Sequence, residues 1–105
     1  MKAKPWKYTD GREGISFRCE GCGGHHSVTT QGPGAWQWNG DLERPVLSPS
    51  VLVRLHYHDR PAHVCHTFVG CNGAQPGEII YLGDSTHALA GQTVPLPDWK
   101  RPSPG

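Results

Sequence analysis

Apolar positions along the chain alternate with polar ones over short runs, each bounded by glycine, proline, asparagine or aspartate, the pattern of short strands joined by tight turns. Residues 15–19 (ISFRC) predict a strand, residues 20–24 (EGCGG) a turn, and residues 25–30 (HHSVTT) the return strand, so two cysteines stand at a hairpin tip. After a second turn at 31–34, residues 35–39 (AWQWN) predict an extended segment with Trp36 and Trp38 on one face, because strand side chains repeat every two residues. Residues 42–49, with two prolines, predict an irregular or edge connection. Residues 50–57 (SVLVRLHY) predict the clearest strand, with Val51, Val53, Leu55 and Tyr57 on one face and Leu52, Arg54 and His56 on the other. Residues 63–70 (HVCHTFVG) and 78–82 (EIIYL) predict two more strands flanking a turn at 72–77. Residues 83–91 predict either a single helical turn capped by Asp84 or Ser85 or a structured loop, and residues 92–96 a last edge strand. Residues 1–14 are polar and irregular, with Trp6 and Tyr8 as anchors. The sum is six to eight strands: an all-β domain, a small sandwich or partly open barrel of short antiparallel strands. Its expected organisation is an N-terminal extension at 1–14, a β domain at 15–97 and a proline-rich tail at 98–105.

Composition adds a constraint. The chain has 105 residues, enough for one domain. Only 35% are hydrophobic, against 14 glycines and 10 prolines. A turn-rich chain with so modest a core gains from a covalent or metal staple. The formal net charge is +1, which gives no electrostatic case for nucleic acid or for an anionic membrane. No segment reads as a secretory signal or a membrane-spanning helix. The expected setting is therefore reducing, and the four cysteines read as thiols or metal ligands before disulfides.

The chemistry starts at Cys19-Glu20-Gly21-Cys22. Two thiolates separated by two residues of a tight turn can reach one ion, and zinc takes four such ligands in a tetrahedron. A thioredoxin-type redox pair would need a helix start, and this context is strand–turn–strand. The partners must come from elsewhere. His25 and His26 point to opposite faces, so at most one contributes, and His26 is the optional one. Cys65 and His66 also diverge, and one of the two is expected as third ligand. Cys65 shares a face with His63, Thr67 and Val69; His66 shares one with Val64 and Phe68, which read as core. His87 follows Asp84, a carboxylate that could orient it. Cys71 reads as a spare thiol, and His56 with His58 as a solvated polar face. Neither a P-loop nor a dinucleotide fingerprint is present. Ser48-Pro49-Ser50 lacks the strand-to-helix context of an esterase elbow, and Cys65 with His66 cannot act as a nucleophile–base pair.

The ordered motifs, from the Cys-x-x-Cys turn through residues 36–41 (WQWNGD), 45–50 (PVLSPS), 65–69 (CHTFV) and 84–97 (DSTHALAGQTVPLP), resemble a family of small proteins encoded by tailed phages and prophages. That family is catalogued as a domain of unknown function, and some members carry an ammonia monooxygenase label. The resemblance runs from about Phe17 to Trp99. It implies phage origin and zinc, and it makes His87 the preferred fourth ligand, since family members often have cysteine where this chain has Ser85. The expected metal set is thus Cys19, Cys22, Cys65 or His66, and His87. The expected function is a zinc-closed structural or interaction module, with Trp36 and Trp38 meeting a phage virion or host protein in the host cytoplasm or the virion. The alternative is a metal-dependent hydrolase with zinc-activated water and Asp84, Asp41 or Glu78 as base.

Overall fold

The computed structural model describes residues 1–99. Nine short strands, all paired antiparallel, form three small sheets. Strands β1 (Ala3–Lys7), β2 (Glu13–Cys19) and β3 (Gly24–Thr29) make the first sheet, with β2 central. Strands β4 (Gln37–Trp38) and β5 (Leu47–Ser48) make a two-stranded ribbon. Strands β6 (Val51–Leu55), β7 (His63–Val69), β8 (Glu78–Tyr81) and β9 (Thr93–Pro95) form the third sheet in that order. Among the described residues there is no helix, and so none long and apolar enough to cross a membrane.

One core joins the sheets. Ile15, Phe17 and Cys19 of β2 and Val28 of β3 meet Cys65 and Val69 of β7, Ile79 and Tyr81 of β8, Leu47 and Leu96. Burial of these side chains, each of the larger ones worth about 1.5–3 kcal/mol, fixes which face of each strand turns inward. On β7 the inward set is Cys65, Thr67 and Val69. The face of Val64, His66 and Phe68, read from the sequence as core, is only half-buried.

Three other stretches differ from expectation. Residues 1–14 are not irregular: β1 pairs with β2 along its length, Ala3 is fully buried, and Trp6 lies across Gly14, where a Cβ would strike its ring. The signal was weak because AKPWK places one small residue inward and no alternation marks it. Residues 42–49 contain β5, with Leu47 buried. On β6 only Val51 is buried; Leu55, and Tyr57 beyond the end of the strand, are exposed. Residues 83–91 form successive turns, the structured loop of the two alternatives expected.

Candidate active site and metal cluster

Two constellations lie back to back on β7, one on each face of the strand. The inward one gathers Cys19, Cys22, Cys65 and His87, whose ligand atoms all lie within 4.8 Å of one another. Cys19 ends β2 and Cys22 sits in the hairpin turn, where its N–H reaches Cys19 Sγ at 3.3 Å. Cys65 comes from β7, with its Sγ 3.7 Å from Cys19 Sγ and 3.4 Å from His87 Nε2. A sulfur pair on a tetrahedral ion with metal–sulfur bonds of ~2.3 Å stands ~3.8 Å apart, so the spacing suits a bound cation and excludes a disulfide. None of the four cysteines is in a disulfide.

The electrostatics agree. Cys19 is held as a thiolate, its pKa lowered to about 3, chiefly by the hydrogen bond from the Cys65 thiol. That same bond pushes Cys65 upward, and burial, followed by the hydrogen bond to Cys19 and then the charge there, raises Cys22 to about 11. Three sulfurs therefore compete for negative charge in one buried spot, a conflict that a cation removes. Donors surround the cluster: His63 Nε2 is 3.1 Å and His26 Nε2 3.5 Å from Cys22 Sγ. The Tyr81 hydroxyl is buried without a partner in full hydrogen-bond geometry, yet near enough to Cys19 to favour its thiolate. Tyr81 also packs edge-on against the His87 ring. Gly21 is required beneath that ring, since a Cβ there would overlap three of its atoms. The Leu89 N–H, 3.2 Å from His87 Nδ1, must give way when Nε2 takes a cation, because the ring then carries its proton on Nδ1. The donor set is Cys3His, and these residues can hold a metal ion.

His66 is not part of that set. Alternation on β7 sends it to the other face, where its Nε2 lies 3.0 Å from Ser50 Oγ. Its Nδ1 lies 3.1 and 3.2 Å from the two carboxylate oxygens of Asp84. A carboxylate only accepts, so Nδ1 carries the proton and Nε2 offers its lone pair to the serine hydroxyl. Ser50 is held just before β6, with its carbonyl accepting the Trp36 Nε1–H at 3.3 Å. The histidine main chain is clamped by Ser85, whose Oγ accepts the His66 N–H at 3.0 Å and donates to the His66 carbonyl at 3.3 Å. Thr86 does the same for Val64. The loop after β8 thus runs along β7, placing Asp84 on the outer face and His87 on the inner one.

Serine, histidine and carboxylate in this order form a relay that can draw the proton from a serine hydroxyl. The sequence pattern does not reveal it: Ser48-Pro49-Ser50 lacks the context of an esterase elbow, and Asp84 reads only as a carboxylate that could orient His87 or act as a hydrolase base. His63 was also missed as a neighbour of Cys22, although its shared face with Cys65 was legible. His25 lies against Trp99 rather than the cluster, and Cys71 donates to the Leu47 carbonyl. Trp36 and Trp38, expected as an interaction surface, pack half-buried against the core. Asp41 accepts the main-chain N–H groups of Glu43 and Arg44, and Glu78 that of Gln75, so neither approaches the cluster as a base.

Comparison with curated proteins and comparison with solved structures each found no match. A family described as the bacterial ubiquitination-like system serine protease (BubE) matches residues 3–76. That span includes Cys19, Cys22, Ser50, Cys65 and His66, and Asp84 and His87 follow it. Covering well over half of the chain, the match shows that this protein belongs to the BubE family.

Proposed function

We propose that this protein is a serine protease in which Ser50 is the nucleophile, His66 the general base and then acid, and Asp84 the group that orients His66. The observation that carries the reading is the Ser50–His66–Asp84 hydrogen-bonded chain. The family description, which names a serine protease, supports it. Ser50 Oγ attacks the substrate carbonyl carbon while His66 Nε2 takes the hydroxyl proton. As the carbon–nitrogen bond breaks, His66 returns that proton to the departing amine. Water then attacks the Ser50 ester, again through His66, releasing the acid and restoring the hydroxyl. Asp84 keeps Nδ1 protonated throughout and steadies the imidazolium. The Ser50 main-chain N–H makes no hydrogen bond among the described residues and can serve the oxyanion.

The same reading takes zinc as the ion of the Cys3His cluster, with a structural role. Cys19, Cys22, Cys65 and His87 would hold the ion with four protein ligands, the number of a structural rather than a catalytic zinc site, which favours this over metal-activated hydrolysis. A protein partner enters as substrate, in keeping with the bacterial ubiquitination-like system named for the family. The test is covalent labelling with a fluorophosphonate followed by peptide mapping. Label on Ser50, lost in Ser50→Ala and His66→Ala, is expected; an unlabelled Ser50 in folded, metal-replete protein refutes the reading.

A further inference from the structure

The third sheet has an unused edge that ends at the proposed nucleophile. β6 pairs with β7 on one side only; among the described residues no strand pairs with its other side. Which main-chain groups face that open side follows from β7. The N–H and C=O of His66 go to Ser85 and Leu82, and those of Val64 to Thr86. Both residues therefore point away from β6, so His63, Cys65 and Thr67 supply the bonds to Leu55, Val53 and Val51. Leu52 and Arg54 are left with N–H and C=O directed outward. Ser50 stands at the head of this edge, and the Leu52 side chain is 48% exposed.

Exposed strand edges are commonly shielded by charge, proline, a bulge or a covering segment. Here the edge carries Arg54 but also leads alongside a groove of about 420 Å³. The start of β3 (Gly24, His25, His26) forms one wall, and Val53, Leu55 and Tyr57 form the other. Only a polypeptide main chain presents a donor and an acceptor on every second residue at the spacing that Leu52 and Arg54 require. An apolar ligand would leave both pairs unmet.

We infer that the free edge of β6 is the substrate-docking strand: an extended polypeptide adds to it antiparallel, so that its scissile carbonyl arrives at Ser50. The inference rests on the serine protease reading and names how that site takes its substrate. Antiparallel addition places the acyl side of the substrate along β6. With the residue bearing the scissile carbonyl opposite Ser50, the third residue back pairs with Leu52 and the fifth with Arg54. The second and fourth side chains share the face of Val51 and Val53, and the fourth points to the groove beside Leu55 and Tyr57, where an apolar group fits.

The experiment uses the metal-replete protein and acetylated hexapeptidyl aminocoumarin amides, chosen from a positional-scanning library. Each backbone amide from the second to the fifth residue is N-methylated in turn. Methylation at the third or fifth residue is expected to lower kcat/KM at least tenfold, and at the second or fourth less than twofold. If Ser50 takes the fluorophosphonate but the scan is flat, or no library member is cleaved, edge docking is overturned while the triad stands. If Ser50 is not labelled, both fall. Sedimentation velocity adds one more arm: a dimer that the best peptide fails to dissociate would assign the edge to a second copy of the chain and overturn the inference.

Discussion

Replacing Gly21 by alanine tests the metal cluster through a single methyl group. A Cβ at this position would stand 2.6 Å from His87 Nε2, and closer to two other ring atoms. Ordinary contact begins at 3.4 Å and the nearest ring atom would stand at 2.3 Å, so the ring must retreat by about 1.1 Å. A metal–nitrogen bond of ~2.0–2.1 Å tolerates about 0.2 Å, so His87 can no longer complete the tetrahedron. The backbone of Gly21 is not in the left-handed region, and alanine adds no strain of its own. A four-ligand structural zinc is worth about 10–16 kcal/mol in small peptides, so one ligand in four represents roughly 2.5–4 kcal/mol. That converts to zinc binding weaker by roughly 70- to 900-fold. At about 4–8 °C per kcal/mol for a domain near this size, the melting temperature falls by about 10 °C or more. Zinc affinity is read by competition with a chromophoric chelator, and stability by thermal melting with zinc present. Gly24→Ala is the control: it lies in the same hairpin, nothing stands within 4 Å of its Cβ, and its backbone is ordinary. Gly21→Ala binding zinc within twofold of the parent protein, or parent protein purified without chelator and free of metal, would refute the reasoning.

Three further outcomes follow from the same geometry. Asp84→Asn removes the acceptor that fixes the His66 tautomer and is expected to lower kcat up to about 10⁴-fold, and no less than about 10²-fold. Its melting temperature should hardly change, because the Asp84 side chain is 56% exposed; a wild-type rate would remove Asp84 from the relay. Ser85→Ala deletes both hydrogen bonds to the His66 main chain; the carbonyl keeps the Leu82 N–H, but the His66 N–H is left without a partner, at a cost of about 1–3 kcal/mol. It should lower both the melting temperature and kcat, and an effect on neither would show that the clamp is idle. Exchange of cadmium for zinc is expected to leave kcat on a small ester within about twofold, since a closed thiolate-rich site positions rather than reacts; a large change would point to metal-activated water.

The two constellations share their supports, which gives the fold a functional logic. Adjacent residues of β7, Cys65 and His66, serve the cluster and the relay from opposite faces. Three residues apart on one loop, Asp84 and His87 do the same. A bound metal that anchors His87 and Cys65 therefore also places Asp84 against His66. In a chain with so few buried large side chains, a metal held by the cluster would keep the relay in register where a larger core would otherwise do so.

Local pattern determined much of this protein. Alternation and turn residues set the all-β class, the hairpin carrying Cys19 and Cys22, and the strands at 63–70 and 78–82, because these depend on side-chain period and backbone preference within a few residues. The chemistry of thiolates and imidazoles marked Cys65 or His66 as a third ligand without choosing between them, and the family resemblance pointed to His87. Alternation separates two faces of a strand but does not say which one is buried. On β7 both faces carry apolar residues, and only packing against β2 and Tyr81 turned Cys65 inward and left His66 facing Ser50. The relay was still less legible. Ser50, His66 and Asp84 are ordinary residues 16 and 18 positions apart, and nothing local distinguishes them from solvated polar groups. A proton passes between them only at hydrogen-bond distance, and that distance is set by the sheet that brings β6, β7 and the loop after β8 side by side.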